Sequence, residues 1–254
     1  MDPSVLQRCP DGSSVPAGPS VSAAFGVLGM NGLTSDYSLP QIGQPQTGDT
    51  LVVSMAARAV GSCVGQIARL HGRKTVGISG GQAKRRLCRD KCCFDAAVAC
   101  KPEDFQARLV QACAVGVGVY FDNTAGLISD AVMAHFNPGA CVLICGTAPV
   151  SSGEPYPQSP PVERQLLVKC KRMQGSVLFE HAEHFNVARQ DFLKWLRAGQ
   201  RHYVEDILDG VEHAFDAIAG PYCGENPGKR MTRWSQPCRT LPSKYVNTYD
   251  GVSC

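Results

Sequence analysis

No run of about eighteen apolar residues occurs in this chain, so no transmembrane helix and no membrane partner are expected. The N-terminal stretch MDPSVLQRCPDGSS lacks an apolar core, which argues against a secretory signal and for a cytoplasmic protein. A large charge of either sign is also missing: the net +3 is small and scattered and gives no reason to expect nucleic acid. Paired CxxC spacings are absent despite 13 cysteines. Cys88, Cys92 and Cys93 cluster without ligand spacing. The HAEH run at 181–184 lacks the spacing of a zincin helix and a third ligand, so no metal is assigned. An odd number of thiols, some inside apolar runs (Cys141, Cys145), fits reduced, buried cysteines better than a disulfide framework. The Tyr and His residues form no recognisable acid–base constellation, and the catalytic residues stay unassigned.

What is present is an alternation. A hydrophobic content of 44% against 19% charged fits a soluble globular chain of one or two domains. The stretch TLVVSMAARAVGSCVGQIARLHG, residues 50–72, organises the rest. Leu51 to Val53 read as a strand, Ser54 to Ala57 as a tight turn, and Val60, Val64, Ile67 and Ala68 recur at helix spacing. Strand, turn and glycine-bearing helix is how a dinucleotide-binding unit begins. Further strands are expected at 75–78, 96–99, 117–121, 141–145 and 176–179. Helices are expected at 82–91, 102–112, 127–136, 185–198 and 211–219. Apolar strands separated by helices predict a parallel sheet covered on both faces, hence an α/β, doubly wound (Rossmann) fold. Residues 1–22 read as an irregular lead-in and 23–49 as a connector, although 23–33 are too apolar for a solvated one. The domain is expected over 50–231, and 232–254 receive no element. The five prolines between Thr147 and Pro161 mark a long loop at the carboxyl end of the fifth strand, where such sheets bind ligands.

The second strand's end bears on the cofactor. A site for NAD places an acid there, about 20 residues past the glycines, on the ribose 2′-hydroxyl. This chain instead reads Ser79-Gly80-Gly81-Gln82-Ala83-Lys84-Arg85-Arg86. The missing acid and the cations that follow favour a 2′-phosphate, and so NADP. A solvated helix face accounts for Arg85 and Arg86; Lys84, closest to the turn, is the phosphate candidate.

Seven ordered blocks add to this. They are Gly29-Met30 with Gly32-Leu33-Thr34, Ile42-Gly43-Gln44-Pro45, AVGSCVGQIARLHG (59–72), FDAA (94–97), YFDN (120–123), ICG (144–146) and GENPGK (224–229). Together, over about residues 23–231, they resemble the medium-chain dehydrogenase/reductase superfamily. Within it they resemble the zinc-free branch of NADP-dependent alkenal, leukotriene B4 and prostaglandin reductases. The resemblance implies NADP(H) as cofactor and an enone or alkenal as small-molecule substrate. Hydride would add to the β-carbon and a proton to the α-carbon. It implies cofactor contacts from Arg58, Ala59, Val60 and Gly61 to the pyrophosphate and from Lys84 to the 2′-phosphate. Asn123, the loop opening Cys145-Gly146-Thr147, the run Ser176-Val177-Leu178, and Asn226 would line the nucleotide and nicotinamide. A homodimer through the sixth strand is the family's habit.

The departures shape what is expected. Arg58 stands where the turn has glycine, and Cys100 where a tyrosine precedes Lys101. Leu33-Thr34-Ser35-Asp36 replaces a Leu-Thr-Ala-Tyr run, and Ser151 a loop tyrosine. The N-terminal, GroES-like substrate domain is expected to be largely missing. Three functions are therefore expected in competition: an NADPH-dependent enone or alkenal reductase, a non-catalytic NADP-binding module without its substrate domain, and a structural subunit that pairs with a partner through its last strand.

Overall fold

The computed structural model describes residues 21–147, 158–169, 172–222 and 224–234. The loop residue Ser151, the lead-in up to residue 20 and the tail from 235 lie outside them.

Six parallel strands form the main sheet: β1 (Thr50–Val53), β2 (Lys74–Ser79), β3 (Ala96–Ala99), β4 (Val117–Asp122), β5 (Phe136–Ile144) and β6 (Arg172–Gly175). Their spatial order is β3-β2-β1-β4-β5-β6. This is the doubly wound order, with its reversal between β1 and β4, so the expected fold class holds. β1 and β4 are buried at every residue, which is why their sequences are apolar without alternation. One core fills each face of the sheet: Val53, Val64, Ile67, Phe94 and Phe121 on one side, Val52, Ile78, Leu109, Tyr120 and Phe136 on the other.

Helix α3 (Ala59–Leu70) crosses from β1 to β2. It lies so close to the strand turn that a Cβ on Gly61 would stand 2.5 Å from the Met55 carbonyl oxygen. On Gly65 it would stand 2.3 Å from the ring of Phe94. These two glycines therefore set the helix–sheet distance.

Several elements depart from expectation. Residues 23–49 are largely helical: α1 (Val21–Phe25), α2 (Met30–Ser38) and a π-helical turn at Leu39–Gly43. Leu33, Leu39 and Ile42 are buried, so the glycine-rich apolar stretch supplies core that a solvated connector would not. The sixth strand is not Ser176–Phe179 but the preceding Arg172–Gly175; it is a polar edge strand paired only with β5, and therefore carries no apolar run. α6 spans Gly126–Met133, and Phe136 already opens β5. Helices α4 (Gln82–Asp90), α5 (Phe105–Ala112) and α8 (Phe185–Arg197) lie where expected, whereas α7 (Val162–Lys169) was not foreseen.

Beyond α8 a second, two-stranded parallel sheet forms from β7 (Glu205–Asp209) and β8 (Lys229–Arg233). A 3-10 turn (Val211–His213) and α9 (Ala214–Tyr222) lie between them. Thr232 and Arg233 of the unassigned tail belong to β8. The unit is tied to the main sheet through α3: Gln66 Nε2 donates to the His202 carbonyl (2.9 Å), and His202 N–H donates to Gln66 Oε1 (2.8 Å).

Candidate nucleotide site

The turns that follow β1, β2, β3 and β4 at the carboxyl edge of the sheet build the site. β1 runs into Ser54–Ala57, where Ser54 N–H donates to Phe121 O (3.2 Å) and Ala56 N–H to Ile78 O (3.0 Å). The turn is anchored to both neighbouring strands, β4 and β2. Met55 takes a left-handed backbone (φ 51°), unusual for a branchless apolar residue and confined to this tight reversal. Arg58 then starts α3 in an extended conformation, and no side chain caps that helix end. The first-turn amides of α3 accordingly retain the positive end of the helix dipole.

A cavity of about 510 Å³ opens beside this turn. Met55, Ile78 and Ile128 give it apolar walls; Ser79, Gly80 and Gly81 form the end of β2; Arg58, Lys84 and Lys101 bring cations. Among the described residues, none that lines it is acidic. Burial, with Arg58 and Arg230 nearby, holds the Lys84 ammonium below its ordinary value, and burial lowers the Arg58 guanidinium too. Two desolvated cations face one cavity, and an anion placed there would relieve both. Their present partners are main-chain carbonyls. Arg58 Nη2 donates to Pro221 O, and Lys84 Nζ donates to Gly224 O at 2.6 Å.

The other expected contacts are distributed along the same edge. Ala59, Val60 and Gly61 form the first turn of α3, where the Val60 carbonyl accepts from Ser35 Oγ (3.1 Å). Asn123 is buried and clamps the turn: its Nδ2 donates to Ser54 O and its N–H to Ser54 Oγ, both at 2.8 Å. Cys145 and Gly146 donate their N–H groups to the Asp122 carbonyl, while Thr147 is exposed. Burial pushes the Cys145 thiol up to about 11. Ser176 follows β6 and shares a hydroxyl hydrogen bond with Ser38 of α2 (2.5 Å); Val177 is 53% exposed and Leu178 is buried. Asn226 is buried beside the Arg58–Gly228 bridge. Its Nδ2 donates to Gly228 O (3.1 Å), and its Oδ1 has no partner among the described residues.

Of the expected contacts, the cavity brings together Arg58 and Lys84; the rest lie outside its lining. Sequence reading missed Met55, Thr124, Tyr222 and Gly224 as wall residues. Thr124 could have been inferred from its place just after the fourth strand. Tyr222 and Gly224 arrive from a distant segment; Gly224 opens the GENPGK block, but nothing local assigns either residue to the cavity wall. Among the described residues, no three His, Cys, Asp or Glu side chains converge as metal ligands.

Sheet order, glycine-spaced helix and cationic turn define a Rossmann-type domain. Residues 59–196, more than half of the chain, match the family described as zinc-binding dehydrogenase, and the chain belongs to that family, within the medium-chain dehydrogenase/reductase superfamily. The YfmJ protein of Bacillus subtilis (strain 168) is 42% identical over 221 residues, covering 85% of this chain and 65% of YfmJ. The NADPH-dependent curcumin reductase of Escherichia coli (strain K12) is 34% identical over 223 residues, covering 86% of this chain and 64% of that protein. The chain thus spans a little under two thirds of the length of these curated relatives. The crystal structure of CurA in complex with NADPH from Vibrio vulnificus superposes with a TM-score of 0.82 at 39% identity, over 85% of this chain and 66% of that one.

Proposed function

We propose that this domain binds NADP(H) and serves an oxidoreductase that reduces the carbon–carbon double bond of α,β-unsaturated aldehydes or ketones. The cationic, acid-free cavity at the end of β2 carries the reading. An NAD site needs a carboxylate for the 2′-hydroxyl, whereas here a 2′-phosphate would meet Lys84, with Lys101 on the same wall. The uncapped start of α3 and Arg58 would face the pyrophosphate. The unpartnered Oδ1 of Asn226 would accept from a hydroxyl or amide of the nucleotide. The NADPH-bound CurA structure and the curcumin reductase support the same cofactor.

A bound NADPH would supply the hydride. This chain's part is to place it: Asn123 rigidifies the β1–β4 crevice, and Ser176, fastened to Ser38, fixes the strand end beside it. A second reading, a nucleotide-binding module without turnover, is supported by the exposure of Val177 at that edge. Catalysis would need this edge covered to exclude water and position a substrate. Cytoplasmic placement and a homodimer through the β6 edge belong to the same proposal. Following NADPH absorbance with an α,β-unsaturated ketone separates the readings. Turnover supports the reductase; nucleotide binding without turnover leaves the module; no binding removes both.

A further inference from the structure

A second cavity, of about 410 Å³, lies at the far end of α3. The twelve residues of that helix put it about 18 Å from the nucleotide turn. Leu39, Ile67 and Ala68, each no more than 1% exposed, give it an apolar floor, and Pro45 adds an apolar wall. Its polar side carries His71 and Arg73, and among the described residues no carboxylate lines it. Arg73 is held in place: its N–H donates to Ala68 O (3.0 Å) and its Nη1 to Thr47 Oγ1 (3.1 Å). Its Nε is buried and has no partner among the described residues, so one desolvated donor of a cavity-lining cation is left unmet. Asp49, on the same loop as Thr47, accepts from Gln46 N–H (2.7 Å) and does not line the cavity. A helix end carries partial negative charge, which would oppose an anion. Here, however, the Ile67, Ala68 and Arg69 carbonyls already accept from the N–H groups of His71, Gly72 and Arg73. Burial, with Arg201 and Arg73 nearby, holds the His71 imidazole below its ordinary value. Positive charge therefore gathers over an apolar floor, and no counter-charge on the cavity wall answers it.

We propose that this cavity is a binding site for a small organic carboxylate with an apolar body, separate from the nucleotide site. The carboxylate would bridge Nε and Nη2 of Arg73, the side of the guanidinium that Thr47 leaves open. His71 would donate a further hydrogen bond. The apolar body would lie on Leu39, Ile67 and Ala68, in a space that admits a bicyclic ring. The floor is what selects this class over a bare anion. Free phosphate would meet Arg73 but leave the apolar surface wetted, whereas a carboxylate with a ring covers it. The two sites are at opposite ends of α3, so this one does not depend on the nucleotide reading.

The test is isothermal titration of the full chain with 2-naphthoate, with its uncharged counterpart 2-naphthamide, and with inorganic phosphate. Naphthoate should bind with a dissociation constant of about 1 mM or below, and naphthamide and phosphate each about tenfold more weakly or worse. Saturating 2′,5′-ADP, a probe of the nucleotide cavity, should leave the naphthoate heat in place. Arg73→Met keeps an aliphatic stem and removes the charge. It should weaken naphthoate about tenfold or more and leave naphthamide unchanged. Naphthamide binding as tightly as naphthoate, displacement of naphthoate by 2′,5′-ADP, or an unchanged affinity in Arg73→Met overturns the proposal. So does phosphate binding as tightly as naphthoate, or no heat from naphthoate at all. The comparison of acid with amide is made on the native chain, so it decides the need for charge even if the variant fails to fold. If 2′,5′-ADP itself gives no heat, the nucleotide reading fails, and the remaining comparisons still decide this one.

Discussion

The two sheets of this domain are held by different physics. The six-stranded sheet buries β1 and β4 completely between two apolar cores. In the two-stranded sheet no residue of β7 or β8 is fully buried, and its rungs are ionic: Arg230 Nε to Asp206 (2.8 Å), Arg233 Nε to Asp209 (2.5 Å). Apolar burial is cumulative and tolerates little change of shape, whereas ion pairs, here one part-buried and one exposed, are each worth little net. The first sheet can therefore hold a pocket rigid; the second can only be attached to it.

The largest effect should come from the tight contact behind that pocket. Gly65→Val would drive its side chain into Phe94, itself buried and unable to move aside. A loss of about 3 kcal/mol or more is expected, read as the urea midpoint. A midpoint within error of the native one would mean that the helix can shift and that the close approach sets nothing.

An opposite result is expected where the two units meet. Arg201 is 1% exposed, with its guanidinium 4.3 Å from the Phe192 ring centre and 4.4 Å from that of Trp195, and none of its three nitrogens has a partner among the described residues. Each desolvated cation–π contact returns about 2 kcal/mol or somewhat more, while three buried unmet donors cost about 1–3 kcal/mol each on top of the desolvated charge. Arg201→Met should therefore stabilise the protein, by about 1–4 kcal/mol on the scale of buried-charge replacements. Lower stability would show that the guanidinium finds partners in solution.

The neighbouring carboxyl gives a pH test. Burial raises Asp36 from 3.8 to about 6, against the pull of Arg201 and with some help from Asp191. Between those values the folded state holds a proton that the unfolded state has released, so stability falls as pH rises from about 4 to 6. Asp36→Asn should flatten that part of the stability–pH curve. An unchanged slope would assign it to other groups. Smallest of all, Arg233→Ala removes an exposed pair and should shift stability by about 0.5 kcal/mol or less. A larger loss would make β8 more than an attachment.

The same contrast explains what could be read from the sequence. Parallel strands buried on both faces announce themselves as apolar runs, so β1, β2 and β4 and the doubly wound class followed from the chain. β6, with Arg172 and Gln174 on an open edge, and the charge-laddered β7 and β8 carry no such pattern. The helices over 21–43 were hidden by glycines, which marked a connector while Leu33, Leu39 and Ile42 were going into the core. That Arg58 and Lys84 line one cavity could be expected because the stretch that carries them is local. The cavity wall from Tyr222 and Gly224 could not, since that contact spans about 140 residues of chain.

The central claim is that the cavity recognises a 2′-phosphate through Lys84, and isothermal titration of Lys84→Ala with NADPH and NADH tests it most directly. The loss of one charge-assisted hydrogen bond, about 1.5–3 kcal/mol, should weaken NADPH about ten- to a hundredfold and leave NADH nearly unchanged. Equal weakening of both, or no heat from NADPH with the native chain, would contradict it.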